Sequence, residues 1–215
     1  IQGTSALNIS GPTSCFEAWV RPHRFPSTQE GYFPIFTKMD SSLTSGNTHY
    51  ALRLLNTGQI QMRVTTASGD ERVATSSIEK PLRLLEPNVE SLDSAWTHVA
   101  VFLNLGVNFS GQSQVRFYID GNLQFDTLIT NQLGTNVSVN RDNRFPAYIG
   151  YEPAGTNQNI HSFIGDIKEV RFWNGTPRNA GVSNNDPVTN PDGLTNFLRG
   201  AQAVRADELL SSPRS

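Results

Sequence analysis

The alternation of apolar and polar positions along the chain predicts a series of short β-strands. Apolar residues occur in short runs rich in Val, Ile, Phe and Trp, and Gly, Pro, Asn or Asp bound these runs. The runs occupy residues 15–21, 33–38, 50–55, 59–64, 96–103, 115–119, 123–125, 147–150 and 163–174, with a weaker one at 5–10. About ten short strands with polar connections indicate an all-β fold, a two-sheet antiparallel β-sandwich or jelly roll.

The last run, residues 163–174, is apolar on both faces of the predicted strand. Strict alternation divides it into two sets, Ile167, Glu169, Arg171 and Trp173 on one face, and Val170 and Phe172 on the other. A strand that is apolar on both faces is expected in the middle of a packed structure rather than at an edge. Because a lone buried carboxylate is costly, we expect Glu169 to pair with Arg171.

Two pairs of runs read as hairpins because glycine-containing turns join them. Asn56-Thr57-Gly58 lies between runs 50–55 and 59–64, and Asp120-Gly121-Asn122 lies between runs 115–119 and 123–125. Glycine adopts the left-handed conformation that such turns need, and Asp-Gly is a strong hairpin signal.

The segments without a strand pattern set the predicted domain limits. Residues 66–94, 127–144 and 152–162 are polar and are predicted as mostly loop. Residues 174–196 contain three prolines and many asparagines, and beyond them only the segment from Ala203 to Leu210 looks helical before Pro213. We therefore predict a sandwich at 1–178 and an extended tail at 179–215 with a short helix. The tail is expected to pack on its own domain or on a partner.

Composition narrows the class of protein further. A chain of 215 residues suits one large all-β domain. Its net charge of −2 and pI near 6.1 argue against nucleic acid as a partner, and no apolar stretch is long enough for a membrane span. The chain opens at Ile1 without an initiator Met, so we expect a processed or excised chain. A single cysteine, Cys15, cannot form an internal disulfide and is expected to be a small buried hydrophobic residue.

Four blocks of sequence resemble, in the same order, blocks of the laminin-G-like and pentraxin-like domains. These blocks are FEAWVRP at 16–22, WTHVA at 96–100, VRFYIDG at 115–121 and GDIKEVRFWN at 165–174. The resemblance covers residues 15 to about 178 and implies the concanavalin-A-like jelly roll. The opening strand of such domains is short or absent here, because only residues 1–11 precede the first block. The fold hosts lectins, adhesion modules, glycosidases and structural proteins, so it does not select a function.

The sequence does not favour catalysis. Glycosidases of the laminarinase type within this fold carry Glu-x-Asp-x-x-Glu on one strand, and no Glu-x-Asp occurs in this chain. Glu17 and Glu169 are the remaining candidates, but each has an arginine on its own face, Arg21 and Arg171 respectively. We interpret both as structural ion pairs, predict no catalytic residue and do not expect an enzyme.

Calcium is the one cofactor that the resemblance offers. In pentraxin-like relatives a calcium site forms between an early loop and the loop after the Ile-Gly strand. The matching positions are Asn47 and Glu152, which supply the hard oxygen ligands that Ca²⁺ prefers. Few other carboxylates lie nearby in sequence, so such a site is expected to be weak or empty.

Four tyrosines near asparagine-rich loops are candidate ligand-binding residues, namely Tyr32, Tyr50, Tyr148 and Tyr151. A sugar needs an aromatic platform with amide and hydroxyl groups beside it. The alternative is that these rings pack at the sheet margins.

Two interpretations of function therefore stay open. One is a non-catalytic surface module that binds a glycan or another ligand. The other is a structural component of a larger assembly, such as a virion decoration, an appendage or an extracellular surface. A free secreted calcium-dependent lectin-like adhesion module is an alternative, and a glycoside hydrolase ranks below these. The expected partners are a glycan or protein surface and neighbouring subunits, at an extracellular, virion or cell-surface location.

Overall fold

The protein is a β-sandwich, as the sequence predicts. The computed structural model describes residues 7–9, 13–39, 48–66, 68–77, 82, 96–105, 112–124, 129–135, 145–153 and 161–174. Within these ranges there are thirteen β-strands and no α-helix. None of the described residues belongs to a helix long and apolar enough to cross a membrane. The predicted tail at 179–215, its helix from Ala203 to Leu210, and Asn47 lie outside the described residues.

The strands form two main antiparallel sheets. The first contains β1 (Thr13–Pro22), β6 (Thr97–Leu105), β7 (Gln112–Ile119), β8 (Asn122–Leu123), β9 (Ile129–Thr135) and β13 (Gly165–Asn174). It runs in the order β13–β1–β6–β7–β8, and β9 also pairs with β7. The second contains β2 (Tyr32–Met39), β3 (Thr48–Leu55), β4 (Ile60–Thr65), β5 (Glu71–Thr75) and β10 (Ala147–Ile149), in the order β10–β2–β3–β4–β5. A small hairpin of β11 (Tyr151–Glu152) and β12 (His161–Ser162) stands beside β2.

The main core lies between the two sheets. Alternate residues of β1, β3, β4, β6 and β7 point into it, as the period of a strand requires, and Phe16, Leu52 and Val101 are almost fully buried there. Aromatic rings fill its centre, because Phe16 lies 4.9 Å from both Tyr50 and Phe172 between ring centroids. Burying one such side chain contributes about 1.5–3 kcal/mol, so these alternating positions supply most of the stability of the sandwich.

Residues 7–9 pack against the core and do not form the weak strand predicted at 5–10. The Tyr50 hydroxyl donates a hydrogen bond of 2.6 Å to the carbonyl oxygen of Leu7. The fully buried Lys38 donates one of the same length from Nζ to the Asn8 side chain, and Ile9 joins the main core. Tyr50 thus anchors the start of the chain.

Three strands lie inside segments that were predicted as loop, which corrects that prediction. β5 falls within 66–94, β9 within 127–144 and the two-residue β12 within 152–162. β5 is an edge strand whose first three residues, Glu71 to Val73, are exposed, so it shows no apolar alternation. β9, of sequence ITNQLGT, is mostly polar as well. Both strands are held by main-chain pairing to a neighbour, and side-chain patterns do not report such pairing.

The hairpin between β7 and β8 confirms its turn signal. Tyr118 pairs with Leu123 and Ile119 with Asn122, which leaves a two-residue turn of Asp120 and Gly121. Both turn residues have positive φ, 49° and 70°, as a type I′ turn requires.

β13 differs from the prediction in its place in the sheet and in which of its side chains face the core. It is the edge strand of the six-stranded sheet and not a central strand, since its pairing within the described residues is with β1. Glu17 pairs with Arg171 and Trp19 with Lys168, so Ala18 alone opposes Glu169 and Val170. This is a β-bulge, and Glu169 takes a left-handed φ of 52°.

The bulge reverses the sides to which the side chains before Glu169 point. Val170 and Phe172 share a face as predicted, and it is the core face, but Ile167 joins them there instead of sharing a face with Arg171 and Trp173. Lys168 is carried to the outer face in its place, opposite Trp19. The predicted ion pair is confirmed, since Arg171 Nη2 lies 3.0 Å from Glu169 Oε2.

Gly165, the first residue of β13, should not tolerate a side chain. Its φ is +150°, and an added Cβ would collide with the Arg21 carbonyl oxygen and lie 2.8 Å from Cα of Pro22. We expect Gly165→Ala to lower the free energy of unfolding by about 2–4 kcal/mol in urea titrations. Gly31→Ala is the control, because its φ is also positive at +72° but no heavy atom lies within 4 Å. It should cost about 1 kcal/mol, and equal costs would contradict the packing argument.

Candidate functional site

Two of the four predicted tyrosines are not available to a ligand, and this corrects the prediction. Tyr50 is 0% exposed in the main core. Tyr32 is held on both sides, because its ring stacks on His161 at 4.1 Å and Arg53 lies 3.9 Å from its centroid. Burial raises the pKa of Tyr32 to about 12, and its hydroxyl donates to Glu152 at 2.9 Å. Both rings therefore serve the fold.

Tyr148 and Tyr151 remain candidates. They lie at the end of the five-stranded sheet, half-buried, with ring centroids 5.7 Å apart and planes inclined by 60°. Ile149 between them is exposed. We call Tyr148 and Tyr151 the tyrosine pair.

Glu152 does not fit the calcium site that the resemblance implies. It is 4% exposed, and Arg53, which is equally buried, donates to both of its oxygens, from Nε at 3.2 Å and from Nη2. Tyr32 and Thr37 donate to the same carboxylate. A calcium ion would have to displace the Arg53 guanidinium. Among the residues with described placement no group of three acidic, His or Cys side chains could hold a metal ion.

The outer face of the six-stranded sheet carries a larger aromatic surface that the sequence reasoning missed. All three tryptophans of the chain, Trp19, Trp96 and Trp173, lie there on the β13 and β1 side. The sequence did contain a signal for this surface. By strand alternation Trp19 shares a face with Glu17 on one strand, and Trp173 shares a face with Arg171 on another. We call the surface formed by Trp19, Trp96, Trp173, Lys168 and Arg171 the tryptophan face.

A buried carboxylate lies beneath this surface. Glu17 is 4% exposed and accepts three hydrogen bonds, from His98 Nε2 at 3.2 Å, Trp173 Nε1 at 3.1 Å and Arg171 Nη1 at 3.3 Å. Burial alone would raise the pKa of Glu17. The hydrogen bond and charge of His98, the hydrogen bond from Trp173 and the charge of Arg171 together hold that pKa below its usual 4.5. Glu17 is thus ionised at neutral pH.

The partner predicted for Glu17 was wrong. Arg21 lies 2.9 Å from Asp166, not beside Glu17. Residues of equal parity on one strand share a face, but the nearest side chains come from the neighbouring strands β13 and β6. Arg171 donates to Glu17 and to Glu169, so one guanidinium ties the two carboxylates that were weighed as a catalytic pair.

Trp173 is the exposed member of the tryptophan face. The residue is 38% exposed, and its indole N–H donates a hydrogen bond to Glu17. No other ring or cation lies over it among the described residues. The hydrogen bond fixes the orientation of the ring while leaving a face in solvent.

Trp96 and Trp19 instead hold a cation. The Lys168 ammonium lies 4.1 Å from the Trp96 centroid and 6.0 Å from that of Trp19, and Arg21 lies 4.8 Å from Trp96. Contacts of this kind are worth about 0.5–1 kcal/mol at exposed sites.

Cys15, on the same outer face, is confirmed as a buried hydrophobic residue. It is packed with Ala100, Phe102 and Tyr118 in a second small core. Burial raises the pKa of its thiol far above the usual range, and the charge of Glu17 raises it further. The thiol is therefore inert as a nucleophile at neutral pH.

Comparison with known families agrees with the fold. The family model described as the concanavalin A-like lectin/glucanases superfamily, of laminin G type, matches residues 3–183. The sequence matches none of the curated proteins.

Three solved structures that are similar to this chain share little sequence with it. A native heptameric SAP-like pentraxin from Limulus polyphemus is 14% identical, with a TM-score of 0.46 over 76% of this chain and 64% of that one. The CBM40 of the Ruminococcus gnavus IT-sialidase, bound to α2,3-sialyllactose, is 11% identical, with a TM-score of 0.47 over 81% and 80%. The receptor-binding domain of botulinum neurotoxin type G is 10% identical, with a TM-score of 0.47 over 90% and 38%. These likenesses concern the fold alone.

Removing the charge of Glu17 should destabilise the protein, whereas the same change at Glu169 should not. Glu17→Gln leaves three donors without their ionised acceptor, and we expect a loss of about 1–3 kcal/mol in the free energy of unfolding. The Glu169 side chain is 37% exposed, so Glu169→Gln should stay within about 0.5 kcal/mol. Urea titrations at pH 7 measure both, and equal losses would contradict the role of Glu17.

The difference between wild type and Glu17→Gln should depend on pH. Because the native pKa of Glu17 is lowered, the unfolded chain binds its proton first as the pH falls. The stabilisation is therefore complete above the usual pKa of 4.5 and is lost as the pH falls through the native value. Titrations should show the same difference at pH 7 and pH 5 and a smaller one at pH 3, and a difference that grows toward pH 3 would reverse the assignment.

Glu152→Gln should be costly whether or not calcium is present. It leaves the buried Arg53 guanidinium without its counter-charge, for a loss of about 3 kcal/mol or more. Glu30→Gln, which removes an exposed partner of Arg24, is the control and should change the melting temperature little. Thermal melts with calcium chloride or with EDTA should coincide for each variant. A calcium-dependent rise in wild type that Glu152→Gln abolishes would restore the calcium site.

Proposed function

Because the chain belongs to the concanavalin A-like lectin/glucanases superfamily, we propose that it is a non-catalytic module that binds a glycan on the tryptophan face. The observation that carries this is Trp173, an exposed indole whose orientation is fixed by its hydrogen bond to the buried Glu17. An aromatic ring that is already oriented loses little conformational entropy when a ligand stacks on it.

The neighbours of Trp173 suit a polyhydroxylated ligand. The apolar side of a sugar ring stacks on the exposed indole. The Arg171–Glu169 pair beside it offers N–H donors and carboxylate acceptors to the hydroxyl groups. Since this guanidinium and carboxylate already compensate each other, an uncharged sugar ring can dock without leaving a buried charge.

The same geometry argues against glycoside hydrolysis. An acid catalyst needs a raised pKa, and Glu17 has a lowered one. The second carboxylate, Glu169, is bound to the same Arg171 that holds Glu17, so neither is poised as a nucleophile.

The tyrosine pair is the alternative glycan platform. Tyr148 and Tyr151 are half-buried, and among the described residues their rings are in ring contact with each other. At either surface we propose binding without calcium, because Glu152 is engaged by Arg53.

An assembly role is the second candidate, and the outer edge of β13 favours it. This strand of ten residues pairs with β1 alone among the described strands, so its other edge can meet a neighbouring subunit. The bulge at Glu169 and the charged side chains there work against simple strand addition. Either role places the module at an extracellular, virion or cell surface.

Glycan-array binding followed by titration calorimetry tests the proposal. Trp173→Ala should weaken binding about tenfold or more, the factor that corresponds to about 1.4 kcal/mol of lost stacking. Trp173→Phe keeps a ring but loses the hydrogen bond to Glu17, and should retain part of the affinity. It also keeps the test valid if the alanine variant folds poorly.

Tyr151→Ala, in the β11–β12 hairpin, is the matched control outside the tryptophan face. Binding that survives Trp173→Ala but is lost in Tyr151→Ala would move the site to the tyrosine pair. No glycan binding by the wild type, with the chain running as a defined oligomer in light scattering, would favour the assembly role instead. Hydrolysis of a bound glycan that Glu17→Gln abolishes would overturn the non-catalytic assignment.

A further inference from the structure

From the placement of Lys168 we infer that the glycan bound on the tryptophan face is acidic, with its carboxylate or sulfate group on the Lys168 ammonium. This inference rests on the proposed function and names the class of ligand. It depends on the bulge in β13, which turns Lys168 to the same face as Arg171 and Trp173.

Lys168 is the cation of the tryptophan face that can bind an anionic ligand without giving up an ion pair to a described residue. It lies against Trp96 and Trp19, and no carboxylate among the described residues is within ion-pair distance of its Nζ. Arg171 already donates to two carboxylates, and Arg21 is paired with Asp166.

The two tryptophans make Lys168 a better anion ligand than an ordinary surface lysine. The rings beside the ammonium limit its motion and exclude part of its hydration shell. The entropic cost and the desolvation cost of binding an anion are therefore lower. The ring faces attract the cation but satisfy none of its three N–H donors by hydrogen bonding. A carboxylate or sulfate would supply a charge-assisted acceptor.

The distance between Trp173 and Lys168 predicts that the ligand is an oligosaccharide. Trp173 lies opposite Cys15, and Lys168 lies opposite Trp19. Those two β1 residues are about 13 Å apart at roughly 3.3 Å per strand residue. This distance is longer than one pyranose ring, so one sugar unit stacks on Trp173 while the acidic group of a later unit reaches Lys168.

Arg116, a further cation on this sheet, is too distant to take over the role. It belongs to β7, three strands away from β13. That is about 14 Å at roughly 4.8 Å per strand, beyond the screening length of about 8 Å at physiological salt.

The test is an array that presents neutral, carboxylated and sulfated oligosaccharides, with matched pairs of each acid and its methyl ester or unsulfated form. Wild type should prefer the acidic member of a pair about tenfold. Lys168→Gln should abolish that preference and reduce the salt dependence of binding, while Lys168→Arg should keep most of it. Arg72→Gln is the matched control, because it removes one exposed cation from β5 on the other sheet.

The outcomes separate the two proposals. Loss of binding in Trp173→Ala together with equal binding of acidic and neutral glycans by wild type would overturn the acidic ligand and leave the proposed function intact. An acidic preference that Lys168→Gln leaves unchanged, or that Arg72→Gln weakens equally, would also overturn it. If wild type binds no glycan on the array, both proposals fail.

Discussion

The bulge in β13 is the constraint on which the arrangement of both faces depends. Two residues of β13, Glu169 and Val170, oppose the single residue Ala18 of β1. Without the extra residue, every side chain on one side of the bulge would face the opposite way, because successive strand residues alternate. With it, Ile167 and Phe172 both pack into the core although they differ in parity. The left-handed backbone at Glu169 costs about 1–2 kcal/mol, and this apolar burial offsets it.

The outer face of the six-stranded sheet is organised around the buried charge of Glu17. A carboxylate taken out of water needs donors, and β13 and β6 supply them through Trp173, Arg171 and His98. Each of those side chains is thereby fixed in orientation. One buried anion therefore positions the exposed indole on which ligand binding would depend.

The five-stranded sheet uses a buried charge differently. Glu152 and Arg53 form an ion pair. The ring of Tyr32 packs on Arg53 with one face and on His161 with the other. Every group in this cluster is engaged with another group of the same chain. It therefore ties the β11–β12 hairpin to the sheet, and the rings of the tyrosine pair lie beyond it.

Local sequence determined the fold class, most strands and the turns, because these depend on short-range patterns. The hairpin at Asp120-Gly121 and the buried Cys15 follow from a few neighbouring residues. Edge strands β5 and β9 escaped prediction, since they are held by main-chain pairing that no local side-chain pattern reports. Of the candidate ligand residues, the sequence named four tyrosines but could not show that Tyr50 is buried.

Only the tertiary structure decided which side chains meet. Parity along one strand predicted Arg21 as the partner of Glu17. The observed contacts of Glu17 are with neighbouring strands, and the sequence of one strand does not determine its register with another. The pairing of Arg53 with Glu152, 99 residues apart, has no local signal for the same reason. The bulge at Glu169 arises because β13 must fit β1 and the core at once. The outward position of Lys168 therefore follows from packing and not from the pattern of its own strand.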